Sequence, residues 1–243
     1  MLQQTGFIAT LRRNADRMAF MSPRDIPLFL RSARTDAAIA RVRAIDDDQA
    51  AFDAAYNGHN GDPWASNDGR YRYQSRKYDT LVSLLPSGRR FAQGLDLGSG
   101  LGLLGRRLAT RADAVLGLDI SQRAVEHART LNADMPSLRF DQGDIRDIPV
   151  ALDGCFDLVA IADTIYYLPQ PLADSTLKAL AMRVSRLLKP GGVCLLANHF
   201  FFSADPDSRI TRRIHRAFAW SPGFTVLSEH RRPFYLVSIL EAA

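Results

Sequence analysis

Three aspartates, Asp96, Asp119 and Asp144, stand at or just past the ends of successive short apolar runs, and a glycine-rich stretch surrounds the first. That stretch reads Leu95-Asp96-Leu97-Gly98-Ser99-Gly100-Leu101-Gly102. Gly98, Gly100 and Gly102 let the backbone come close to a ligand where a Cβ would collide. Helix N-terminal N–H groups following such a loop favour an anionic group. Gly100-Leu101-Gly102-Leu103-Leu104-Gly105 also satisfies the dinucleotide pattern G-x-G-x-x-G, and Asp119 lies near the acidic position that pattern expects. A nicotinamide-dependent oxidoreductase is therefore a competing reading.

Asp96 separates the two. A carboxylate at the loop's entrance would repel a pyrophosphate, yet it suits a ligand bearing an ammonium group and hydroxyls. S-adenosylmethionine has an ammonium on its methionine tail and no phosphate. Asp119 could then accept both ribose hydroxyls. Ile120 could pack on the adenine face, and Asp144 in Gly143-Asp144-Ile145 could receive the adenine amino group. Each has a bland alternative: Asp119 as the cap of the next helix, Asp144 as a turn residue. Together they resist it, because unpaired buried carboxylates are costly. A hydride-transfer enzyme should also show an acid such as a Tyr-x-x-x-Lys pair after strand 4 or 5, and none is there.

The elements that must position these residues follow from apolar periodicity and punctuation. Strands are expected at 91–97, 115–118, 138–140, 156–161, 193–197, 224–228 and 234–240. Helices are expected at 32–56, 70–85, 102–110, 122–132, 172–188 and 207–218. Lys189-Pro190-Gly191-Gly192 stops the 172–188 helix. Alternating strands and helices imply a parallel sheet covered on both faces. The fold expected is an α/β, Rossmann-like three-layer sandwich, with residues 1–60 as a helical or irregular N-terminal extension and 61–243 as the main domain.

Four segments resemble the ordered motifs of class I S-adenosylmethionine-dependent methyltransferases: 95–102, Leu118-Asp119-Ile120, Gly143-Asp144-Ile145 and Leu187-Leu188-Lys189-Pro190-Gly191-Gly192. The resemblance spans roughly residues 60–240. It implies a seven-stranded, mostly parallel sheet whose last strand runs antiparallel, with Ile145 and Ala162 joining the cofactor contacts. A narrower resemblance rests on Asp62-Pro63-Trp64, Tyr73-Gln74-Ser75-Arg76-Lys77-Tyr78, Ile165-Tyr166-Tyr167-Leu168 and Asn198-His199-Phe200. These are similar to the nodulation-type N-methyltransferases, which methylate an amine on a chitooligosaccharide. That branch implies that Trp64, Tyr73 and Arg76 lie over the cofactor. The Trp64–Tyr73 gap is longer than in that branch, Phe200 stands where Trp is common, and about 55 N-terminal residues have no counterpart.

Methyl transfer is an in-line displacement on an activated carbon, so holding the reactants in line supplies most of what is needed. A hydroxyl acceptor needs a general base; an amine need only be neutral or lose its proton on binding. His199 is the candidate base, with a satisfied strand-end histidine as its plain alternative. Asp163 could hold an ammonium or orient a hydroxyl, and Tyr166 and Tyr167 could line the acceptor site or merely pack. Ala162-Asp163-Thr164-Ile165 is not Asn-Pro-Pro-Tyr, which argues against the adenine and glutamine amide methylators. A small-molecule or glycan acceptor is expected, with methyl transfer to nitrogen slightly favoured over oxygen. A cofactor-binding regulator without catalysis is the third reading.

Composition restricts the partners. No apolar run approaches the roughly 20 residues of a membrane span, so no membrane is expected, and a cytoplasmic monomer or homodimer is the plain reading. Cys155 and Cys194 are the only cysteines and form no metal-ligand pattern, so no metal is expected. The net charge is +5, with residues 1–43 and 209–232 each contributing +5 and the rest −5. These arginines lack interleaved aromatics and read as solvated helix faces, so nucleic acid is not expected. Residues 1–21, Arg-rich with Met18 and Met21, read as a tail.

Overall fold

The computed structural model describes residues 25–201 and 205–243; the tail expected at 1–21 lies outside them. Among the described residues, seven strands form one sheet: β1 (Phe91–Leu97), β2 (Ala112–Asp119), β3 (Leu138–Gln142), β4 (Phe156–Ala162), β5 (Leu188–His199), β6 (Phe224–Arg232) and β7 (Tyr235–Ala242). Their order is β3-β2-β1-β4-β5-β7-β6. The first five run parallel, while β7 pairs antiparallel with both β5 and β6. This is the expected Rossmann-like sandwich.

Alternation along the strands makes two apolar layers. Leu95, Leu97, Val159 and Ile161 face one cluster, with Ala181 and Val184; Leu158, Leu195 and Val237 face the other, with Leu104 and Leu108. Each fully buried Leu, Val or Ile among them contributes about 1.5–3 kcal/mol. The strand order reverses between β1 and β4, so their carboxyl ends open a crevice at the topological switch.

Two departures have local causes. The helix expected over 32–56 is two: α1 (Ile26–Arg43) and α2 (Asp48–Asn57). Asp47 accepts the Ala50 N–H and starts α2 as a fresh cap. Pro27 sits in the first turn of α1, where a backbone N–H would have no intrahelical partner to lose. Strand β5 begins at Leu188, which pairs with Phe156, and the ladder resumes at Leu158–Val193. The Pro-Gly-Gly turn, with Gly191 at φ 71°, sits inside that register slip. The remaining helices are α3 (Tyr73–Ser83), α4 (Leu103–Leu108), α5 (Gln122–Leu131), α6 (Asp174–Leu187) and α7 (Pro206–Ala219).

Candidate active site

The crevice holds a cavity of about 490 Å³, walled on one side by the strand ends and on the other by α1, α2 and α3. On the strand side, Gly98 and Gly100 adopt φ of 73° and 50°. A Cβ on Gly98 would sit 2.2 Å from Thr164 Oγ1, and one on Gly100 would sit 2.7 Å from the Tyr56 hydroxyl. Only glycine fits both the dihedral and the space. Asp119 Oδ2 accepts the Gly100 N–H at 2.8 Å and Oδ1 the Ser121 N–H at 2.9 Å. Burial pushes its carboxyl up to about 6 against those two bonds. Ser99 Oγ, beside it, is buried without a hydrogen-bond partner.

The cavity is lined by Trp64, Tyr73, Gly98, Ser99, Gly100, Asp119, Ile120, Asp144, Ile145, Ala162, Asp163, Tyr166, Tyr167 and His199, among others. The structure thus brings together all but three of the residues singled out in the sequence.

Asp96, Gly102 and Arg76 do not line it. Asp96 lies on the opposite strand face from Leu95 and Leu97, 1% exposed and under α4. A Cβ on Gly105 would lie 3.4 Å from its Oδ2. Burial raises its carboxyl to about 7, opposed by the Gly105 N–H. Period-two alternation turned it away from the ligand side. Gly102 opens α4 at φ 73° and packs under Phe140, whose ring a Cβ would meet at 2.2 Å. Arg76 is off the α3 face formed by Tyr73 and Lys77, both of which line the cavity.

Asp163 takes φ 55° just past β4 and pairs with Lys77 through Oδ2, while Oδ1 is buried with no partner. Lys77 is 2% exposed, with its ammonium 5.2 Å from the Tyr235 ring centroid. The signal for Lys77 was present in the sequence: it falls at i+4 from Tyr73 and i−4 from Leu81, inside an apolar helical face.

His199 ends β5, its ring 4.2 Å from Tyr166 and 5.7 Å from Phe201. Its Nε2 is buried without a hydrogen bond, 3.9 Å from Asp207 Oδ2. Its backbone is held by Thr211 Oγ1, which donates to the His199 carbonyl at 2.8 Å. The neighbouring Asn198 contacts His215, which burial keeps neutral by lowering its imidazole to about 3. Asp144 Oδ1 accepts the Arg146 backbone N–H at 2.8 Å, and both its oxygens take the guanidinium. Burial pushes its carboxyl up, but the bonds and charge of Arg146 leave it below its ordinary value. Arg146 also bridges to Asp48 of α2 at 2.9 Å.

Trp64 and Tyr73 were expected over the cavity; the share that α1 and α2 take in the cover was not. Phe29, Ser32, Ala33, Asp36 and Arg43 follow one face of α1, and Asp48, Phe52 and Tyr56 come from α2. Thr35 Oγ1 and Arg31 Nε donate to the Pro63 carbonyl at 2.8 and 3.2 Å, tying α1 to the Asp62–Trp64 turn. Trp64 packs against Tyr56, Phe52 and Tyr167, with centroids 5.6–6.4 Å apart. The lining carries seven aspartates against Arg43, Lys77 and Arg146, in a chain of net charge +5. No group of three or more His, Cys, Asp or Glu among the described residues could hold a metal ion. None of the described helices is long and apolar enough to cross a membrane.

Comparison with known proteins agrees with this architecture. Residues 95–192 match the family described as methyltransferase domain. Trans-aconitate 2-methyltransferase of Deinococcus radiodurans is 38% identical over 124 residues, covering 49% of this chain and 43% of that protein. The chain spans about half the length of the curated relatives it matches. Among solved structures, the N-methyltransferase NodS of Bradyrhizobium japonicum, bound to S-adenosyl-L-homocysteine, superposes with a TM-score of 0.66. It is 17% identical, and the match covers 81% of this chain and 99% of that one. A Pseudomonas syringae putative methyltransferase gives 0.56 at 25% identity, over 70% and 98%.

Proposed function

We propose that this chain, whose core is a class I S-adenosylmethionine-dependent methyltransferase domain, transfers a methyl group to an amine of a small molecule or glycan. The residues present fit the cofactor. Asp119 and Ile120 at the end of β2 would hold the ribose and adenine, and the Gly98–Gly100 stretch would meet the methionine half. Two observations support that fit: the orphaned Ser99 Oγ, and a loop whose glycines have no room for a Cβ. When bound, S-adenosylmethionine supplies a methyl group on a positively charged sulfur.

The rest falls to the chain. The cover and the strand ends enclose the reacting groups and exclude water, and Lys77 fixes Asp163 at the wall. His199 carries the argument for an amine: it lines a cavity rich in carboxylates, and its Nε2 has no hydrogen-bond partner. Such a nitrogen can take the proton of an ammonium and leave a neutral nucleophile, a lighter task than ionising a hydroxyl. Paired amine and alcohol acceptors with labelled cofactor test this. Amine products should dominate, and His199→Ala should lower kcat about 100-fold. Cofactor binding with no turnover on either class would mark a regulator instead, and turnover of alcohols alone would reject the amine reading.

A further inference from the structure

Asp36 is the one carboxylate on the cavity face of α1. Tyr167 Oη donates to its Oδ1 at 2.7 Å and Trp64 Nε1 donates to the same oxygen at 3.2 Å. Its Oδ2 accepts nothing from the described residues. The residue as a whole is exposed, and crowding by its neighbours raises its carboxyl above the ordinary range, only partly offset by those two bonds and by His199. A carboxylate in that state is relieved by an incoming cation. The surroundings are built for one: Trp64, Phe52 and Tyr167 pack together beside it, and Tyr166 links them to His199. Aromatic faces attract a desolvated ammonium. The cations nearest this end are already engaged, Lys77 with Asp163 and Arg43 with Asp48.

We propose that Asp36 is the acceptor-anchoring, specificity-determining residue, and that the acceptor enters as a protonated amine held between its carboxylate and the rings of Trp64, Tyr166 and Tyr167. The inference rests on the methyl-transfer reading and deepens it. It also gives the N-terminal helix, which has no counterpart in the motifs, a task at the site. Asp36 acts in binding; His199 then receives the proton.

The test uses the whole chain saturated with S-adenosylhomocysteine and titrated calorimetrically with three probes. These are 2-phenylethylamine, its N,N,N-trimethylammonium analogue, which cannot be methylated, and 2-phenylethanol. Both cationic probes should bind at least tenfold tighter than the alcohol. Asp36→Asn should erase that margin and Asp36→Glu should keep part of it. S-adenosylhomocysteine affinity and the thermal midpoint should hold in both variants, which separates lost recognition from lost folding. A margin that survives in Asp36→Asn, or equal affinity for all three probes, overturns the assignment. If amines are still methylated in that case, the methyl-transfer reading stands and only Asp36 falls. If labelled methyl reaches alcohols and never amines, the underlying reading falls with it.

Discussion

The two walls of the cavity are made in different ways. At β1 and β2 the strand-end wall is backbone: glycines at positive φ, N–H groups donating to Asp119, and a loop with no room for a Cβ. The cover is side chain: rings and charged groups delivered by α1, α2, the Asp62–Trp64 turn and α3, all upstream of the glycine loop. The first wall is shaped for a ligand whose form never varies. The second can change composition without disturbing the sheet, so specificity can shift while the cofactor half stays fixed.

That contrast can be broken at several points. The seam between the walls is Lys77–Asp163. Lys77→Met leaves the half-buried Asp163 carboxylate without its cation and should cost about 3 kcal/mol in urea unfolding. Adding Asp163→Asn should recover much of it, and failure to recover would mean Lys77 acts through packing alone. Within the backbone wall, Gly98→Ala drives a Cβ into Thr164 and should weaken S-adenosylhomocysteine binding at least 100-fold, about 2.7 kcal/mol. If the cover is independent, Trp64 fluorescence should not change.

A third probe concerns Asp96, whose carboxyl titrates near 7 when folded against an ordinary 3.8. The folded chain holds the extra proton between those values, so stability is full at low pH and falls as pH rises through about 7. Asp119 adds a similar, lower step near 6. Asp96→Asn should remove about 2 kcal/mol of the decline between pH 5 and 8; an unchanged profile would place the titration elsewhere. The smallest effect crosses the walls. Gly100→Ala should weaken cofactor binding about tenfold, roughly 1.4 kcal/mol, by meeting the Tyr56 hydroxyl. Tyr56→Phe should restore part of that loss, and no rescue would assign it to the positive φ instead.

The backbone wall was the legible one. Glycine spacing, apolar strands and the carboxylates that end them are local signals; the sheet is the one expected, and residues 95–192 match a methyltransferase domain. Asp96 shows the limit of reading residue type without direction. It was chosen as the discriminating carboxylate, yet strand alternation aims it under α4. Asp36 shows a different limit. Nothing in Arg34-Thr35-Asp36-Ala37-Ala38 marks chemistry, because its partners Trp64 and Tyr167 lie 28 and 131 residues away. Lys77 lies between, since its helical spacing was readable but its buried pairing with Asp163 was not.

Among the described residues, placing β7 between β5 and β6 leaves β6 with one unpaired margin, and β3 bounds the other side. An open margin is a template on which a second chain can grow a ladder. Here β3 has five residues, and β6 slips register between Val226 and Ser228 before running through Glu229, Arg231 and Arg232. Shortness at one side, and a kink with charge at the other, work against edge-to-edge aggregation. Replacing Arg231 and Arg232 with Val would remove that protection and would also release the Phe201 carbonyl, which Arg231 holds at 2.8 Å beside the cavity.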